Sequence, residues 1–132
     1  MSLIGKRIFI VEDNIENKAI MQLLLEKAGA LVAFDRWGVT TVEKALSFMP
    51  VDLFLMDLMF PHDQDGYQIA TRLRAVSELR TIPIVAVSAA DPAEEIARAQ
   101  AHGFSGFIAK PISFHDFVPY IEGVFAGKQV WN

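Results

Sequence analysis

Leu53-Phe54-Leu55-Met56-Asp57-Leu58-Met59-Phe60 is an apolar run interrupted by one carboxylate. A short run of Leu, Phe and Met with no polar alternation is the pattern of a strand covered on both faces. An acid there is costly unless it is paired or does chemistry. Asp57 is therefore both the end of a buried strand and the first candidate functional residue. Similar runs lie over 7–11, 31–34, 84–87 and 106–109, and with 53–56 they make five predicted strands.

Between the strands, apolar residues recur at helical spacing. Over 14–28, Ile20, Leu24 and Ala28 form one stripe with Met21 and Leu25 beside it; Asn14 is a candidate N-cap and Gly29 a left-handed end. Over 92–102, Asp91 caps, Pro92 suits the first helical position, Glu94 and Glu95 favour the positive end of the dipole, and Gly103 stops the helix. The last helix is predicted to begin at Ser113, with Asp116 completing a capping-box variant, and its aromatics (Phe114, Phe117, Tyr120, Phe125) read mostly as core. Weaker helical patterns cover 39–48 and 67–75. Five alternations of strand and helix imply a parallel sheet with helices on both faces.

A chain of 132 residues, 52% of them apolar, fits one domain with its own core. The net charge of −4 argues against direct nucleic-acid binding, which clusters Lys and Arg. No cysteine is present, which excludes disulfides and thiolate metal sites. No apolar stretch approaches the roughly 20 residues a membrane span needs, and the first residues lack a signal-peptide pattern, so a cytoplasmic protein without membrane insertion is expected.

In an open parallel sheet, ligands bind outside the carboxyl ends of the strands. Here those ends carry Glu12-Asp13, Asp57, Ser88 and Lys110-Pro111: three acids, a hydroxyl and an ammonium on one edge. Carboxylates at close range repel, so some are protonated or a cation sits among them. An all-oxygen set favours a hard ion such as Mg²⁺, held by one or two carboxylates and phosphate oxygens. A carboxylate can act as nucleophile and form an acyl phosphate, with metal and lysine neutralising charge on the transferring group and a hydroxyl bonding to it. Taken singly, Glu12-Asp13 also reads as a turn, Ser88 as a strand-end hydroxyl and Lys110 as a solvated lysine; sharing one edge gives the set its force. Pro111 restricts Lys110 to extended geometry and so fixes its direction.

Val11-Glu12-Asp13-Asn14, Leu55-Met56-Asp57-Leu58-Met59 with Pro61, Ala86-Val87-Ser88-Ala89-Ala90 and Gly106-Phe107-Ile108-Ala109-Lys110-Pro111 resemble the successive signatures of response-regulator receiver domains, in the family's order and near its spacing. The resemblance covers about 7–125. It implies a single doubly wound (βα)5 flavodoxin-like α/β domain with a five-stranded parallel sheet in the order 2-1-3-4-5 and no output domain. It makes Asp57 the phosphoacceptor, served by a sensor histidine kinase or a histidine phosphotransfer protein, with a downstream protein partner. Asp13 and Asp57 would hold Mg²⁺ directly, Glu12 through water, and the backbone carbonyl of Met59 would complete the protein ligands. Ser88 and Lys110 would contact the phosphoryl group, and Phe107 matches the family's switch aromatic, although a buried strand residue reads the same way. Pro61, Ala89, Ala90 and Pro111 border the site, and Met59 and Ala90 stand where the family tunes attack by water. Such a domain is not an enzyme beyond its own phosphorylation and dephosphorylation.

The sequence departs from the family pattern in two places. Pro61-His62-Asp63-Gln64-Asp65-Gly66 carries one residue more than the usual spacing, with His62, Asp63 and Gln64 read as facing solvent; Trp37-Gly38-Val39-Thr40-Thr41 is also unusual. His102 and His115 read as surface residues. The alternative to a phosphorylation switch is an interaction module of the same shape that does not use phosphate. A flavodoxin-like carrier or small hydrolase is disfavoured, because no Gly-rich phosphate loop or Gly-x-Ser-x-Gly elbow is present.

Overall fold

The computed structural model describes residues 3–36, 38–60 and 65–131. Trp37, Pro61, His62, Asp63 and Gln64, singled out in the sequence, lie outside the described residues. The elements follow in the order β1 Arg7–Val11, α1 Ile15–Lys27, β2 Leu31–Asp35, α2 Thr41–Ser47, β3 Leu53–Met56, α3 Gly66–Arg74, β4 Ile84–Ser88, α4 Pro92–Ala101, β5 Gly106–Ala109, α5 Phe117–Phe125 and β6 Val130–Trp131. All strand pairings in the sheet are parallel, in the order β2-β1-β3-β4-β5-β6. Among the described residues, no helix is long and apolar enough to cross a membrane.

The strands split their side chains between two layers, as a period of two requires. Phe9, Val11, Phe54, Met56, Ala86 and Phe107 face α2, α3 and α4. Ile8, Ile10, Leu53, Leu55, Val85, Val87 and Ile108 face α1 and α5, where Met21, Leu25, Phe117 and Ile121 meet them. β1 and β3 are in register at Val11↔Met56, and β4 and β5 at Ser88↔Ala109. Glu12, Asp57, Ser88 and Lys110 therefore leave the sheet on one edge, as expected.

The caps follow the sequence. Asn14 Oδ1 accepts the Asn17 N–H at 2.9 Å, Asp91 Oδ1 accepts the Ala93 N–H at 3.0 Å, and Gly29 ends α1 with φ +99.

The structure corrects four expectations. The sheet has a sixth strand, β6, where five were predicted, because the chain turns back after α5 and lies along β5. β2 is an edge strand, and Leu31 and Phe34 are 50% and 38% exposed rather than covered on both faces. The buried seam of α1 runs through Met21 and Leu25, with Ile20, Leu24 and Ala28 only half-buried. Ser113 and Asp116 do exchange capping hydrogen bonds, each of 3.2 Å, but regular helix starts only at Phe117, and Phe114 ahead of it is 66% exposed.

Candidate functional site

Asp57 follows β3 directly, is 6% exposed, and accepts the Met59 N–H on Oδ1 at 3.3 Å. Its own N–H donates to the Val11 carbonyl at 2.9 Å, which locks the end of β3 to the end of β1. Glu12, 1% exposed, comes off β1 beside it, and its Oε2 accepts the Asn14 N–H at 3.3 Å. Asp13 is half-buried, and Arg36 Nη2 donates to its backbone carbonyl at 3.4 Å. Carboxylate oxygens of Glu12, Asp13 and Asp57 lie within 4.8 Å of one another. Three close, hard, anionic donors are the set a divalent cation of the Mg²⁺ class takes.

Lys110 reaches into this cluster from the end of β5. Its Nζ is 2.6 Å from Glu12 Oε1 and 3.6 Å from Asp57 Oδ2. The first contact is an ion pair at charge-assisted hydrogen-bond distance, and among the described residues Glu12 Oε1 has no donor besides that ammonium. Burial, and after it the Asp57 carboxylate, push Glu12 up from the ordinary 4.5 to about 8, against the pull of the Lys110 ammonium. One ammonium thus leaves the cluster short of positive charge, and a hard cation fits that deficit.

Ser88 is fully buried at the end of β4, and its Oγ accepts the Ala90 N–H at 3.1 Å. That is the strand-end bond the plain reading of Ser88 expected, and it leaves the hydroxyl hydrogen to be donated elsewhere. Ala89 is exposed and Ala90 half-buried beside it. Phe107 is wholly buried in the layer under α4, in register with Ala86. Pro111 is exposed, and the Lys110–Pro111 peptide is cis. The Met59 side chain is 61% exposed, and Met59 bridges Asp65 across the segment 61–64.

How the start of α3 is built against this site was not legible from residue pattern. Asp65 caps α3 through a full capping box with Gln68, at 2.9 and 3.1 Å. Gly66 then lies so close to Asp57 that an added Cβ would collide with the Asp57 carbonyl oxygen.

A second unforeseen cluster ties α4 to α3. The Arg98 guanidinium lies 4.2 Å over the Tyr67 ring and pairs with Asp65 at 3.4 Å and Glu95 at 3.7 Å. The Tyr67 hydroxyl donates to Glu95 at 3.5 Å, and burial, then Glu95, push that hydroxyl up to about 12. His102 is exposed, as expected, although its ring stands 4.3 Å from that of Tyr67.

A family model described as the response regulator receiver domain matches residues 8–122. The chain is 33% identical over 117 residues to the polar-differentiation response regulator DivK of Brucella ovis, across 89% of this chain and 94% of that protein. It is 27% identical over 119 residues to the two-component response regulator ORR1 of Oryza sativa subsp. japonica. That match takes in 83% of this chain and 51% of the rice protein, so the chain spans about half the length of this relative. A sensor protein from Polaromonas sp. JS666 has a similar solved structure, with a TM-score of 0.81 at 28% identity over 92% of this chain and 97% of that one.

Proposed function

The chain belongs to the response regulator receiver domain family, and from that premise we propose that it is a phosphoryl-accepting switch with Asp57 as the acceptor. Receiver domains are signalling modules rather than enzymes, and the proposed chemistry is correspondingly limited to this chain's own side chain. The observation that carries the reading is the convergence of Glu12, Asp13 and Asp57 within 4.8 Å, with the Lys110 ammonium among them, on one edge of the sheet.

An Asp57 carboxylate oxygen attacks phosphorus. A P–O bond to Asp57 forms as the donor's P–N bond breaks, and the electron pair leaves on the donor imidazole, which takes up a proton. The donor class is a phosphohistidine of a sensor kinase or phosphotransfer protein. Asp13, Asp57 and the Met59 carbonyl would hold Mg²⁺, with Glu12 acting through water. When bound, that ion supplies Lewis-acid neutralisation of the phosphoryl oxygens. Lys110 orients a phosphoryl oxygen and offsets its charge, and Ser88 offers its hydroxyl hydrogen to another. The capping box of Asp65 and the close seat of Gly66 hold the Asp57 backbone still while this happens. Movement of Ser88 toward phosphate would repack the already buried Phe107 beneath α4, shifting the domain between two conformations read by a downstream protein.

The test is intact mass after incubation with Mg²⁺ and acetyl phosphate, with Asp57→Asn alongside. One added phosphoryl mass in the wild type and none in the variant is expected. No adduct in either protein would favour an interaction module that does not use phosphate. An adduct in both would move the acceptor off Asp57.

A further inference from the structure

The turn that follows β2 lies on the same edge of the sheet as the three carboxylates. Asp35 ends β2 in register with Val11, the last residue of β1. Its carbonyl accepts the Glu12 N–H at 3.1 Å, so the end of β2 holds the first residue of the acidic turn. Asp35 itself is 1% exposed. Its carboxylate accepts the Thr41 hydroxyl at 2.8 Å and the Thr40 hydroxyl at 3.2 Å, and the Lys44 ammonium lies 3.4 Å away. A buried carboxylate is costly unless donors surround it, and a satisfied polar network holds its backbone to one shape. Thr40 and Thr41 belong to the stretch that is unusual in sequence, and Asp35 is what they hold.

This turn presents Arg36 to the site. Half-buried, Arg36 donates from Nη2 to the Asp13 carbonyl at 3.4 Å. The Glu12 and Asp57 carboxylates each accept a backbone N–H. Asp13, among the described residues, is held through its backbone by Arg36 instead. Two residues further on, the Gly38 carbonyl accepts Arg72 Nη2 at 3.0 Å, which fastens the turn to α3. We propose that Arg36 is a positioning residue for the cation site: by holding the Asp13 carbonyl, it keeps the turn after β1 in the shape that brings the Asp13 carboxylate to Glu12 and Asp57. This deepens the reading of those carboxylates as a Mg²⁺ site and rests on it.

Charge alone predicts the reverse. A guanidinium beside a cation site repels the cation, so its removal should tighten binding, as removal of the Lys110 ammonium would. Groups that orient a metal's ligands without touching the ion are worth about ten- to hundredfold in affinity. The two roles of Arg36 therefore have opposite signs, and the sign of the change decides between them.

The test compares wild type, Arg36→Met and Arg36→Lys as full chains. Calorimetry gives the Mg²⁺ dissociation constant. The amide spectrum of the metal-free proteins reports the Asn14 N–H, which shares a peptide bond with the Asp13 carbonyl. Arg36→Met should bind Mg²⁺ about tenfold more weakly and shift the Asn14 amide, while the β3 and β4 amides stay in place and report an intact fold. Arg36→Lys should recover most of both, because an ammonium can donate to the same carbonyl. An unmoved Asn14 amide, or an Arg36→Lys as weak as Arg36→Met, would overturn the proposal. If Arg36→Met does not fold, Arg36→Gln takes its place under the same criteria. A wild type that binds no Mg²⁺ would sink the cation site and the proposal with it; a wild type that binds, with Arg36→Met unchanged or tighter, would sink the proposal alone.

Discussion

At the scale of single residues, the site depends on one glycine and one lysine. Gly66 has no Cβ, and that absence lets α3 start against the Asp57 carbonyl. Gly66→Ala must push the two backbones apart, at a cost of about 1–3 kcal/mol as for other overpacking changes. It should lower the urea midpoint and slow phosphoryl uptake at Asp57 in parallel; a variant as stable and as reactive as wild type would refute the close seat. Lys110 plays two opposed parts. Its ammonium is 2.6 Å from Glu12 and 3.6 Å from Asp57, where it competes with a divalent cation yet would help a phosphoryl group. Lys110→Met should therefore bind Mg²⁺ about fivefold more tightly, by removal of a like charge. It should also slow phosphoryl uptake by about 100-fold, the range for losing one charge-stabilising donor. Calorimetry and a mass time course separate the two effects, and weaker Mg²⁺ binding in the variant would count against this account of the cluster.

At the scale of elements, α3 is held by its first residues. Asp65→Ala removes the side-chain half of the capping box and should cost about 1 kcal/mol in chemical unfolding, or ~3 °C of melting temperature for a chain of this size. Gln68→Ala removes the reciprocal half, so the double variant should cost less than the sum of the two. A strictly additive pair would mean that the two halves do not act together. How far each element was legible follows from its place in the sheet. β1, β3 and β5 begin and end where their apolar runs do, because both faces of each are covered. β2 lies at the sheet's edge, and its exposed Leu31 and Phe34 look in sequence like buried strand residues. Val130 and Trp131 are too few to show a period at all, so β6 could not be read. Glu12, Asp13, Asp57 and Lys110 were legible because they close strands. The seat of Gly66 on Asp57, the Arg36 contact to the Asp13 carbonyl and the Tyr67–Arg98 cluster were not, since contacts made across loops leave no periodic trace.

At the scale of the whole molecule, the parallel sheet brings three carboxylates to one point, and folding must accommodate their charge. Glu12 carries the visible consequence, raised to about 8 by burial and then by Asp57. Between about 4.5 and about 8 the folded chain keeps a proton on Glu12 that the unfolded chain has released. Where the native state binds more protons, stability falls as pH rises. The metal-free protein should therefore lose melting temperature steadily from pH 5 to pH 8.5. Mg²⁺ at the proposed site would be held by ionised carboxylates, so it would compete with that proton and bind better at the alkaline end. At ten times its dissociation constant it adds about 1.4 kcal/mol to stability. The Mg²⁺-induced rise in melting temperature should then be small at pH 5.5 and several degrees at pH 8.5, and in Glu12→Gln the metal-free profile should flatten. A metal-free melting temperature that climbs through this window, or a Mg²⁺ effect equal at both ends, would mean that Glu12 is already ionised in the folded chain and that Lys110 alone satisfies the cluster's charge.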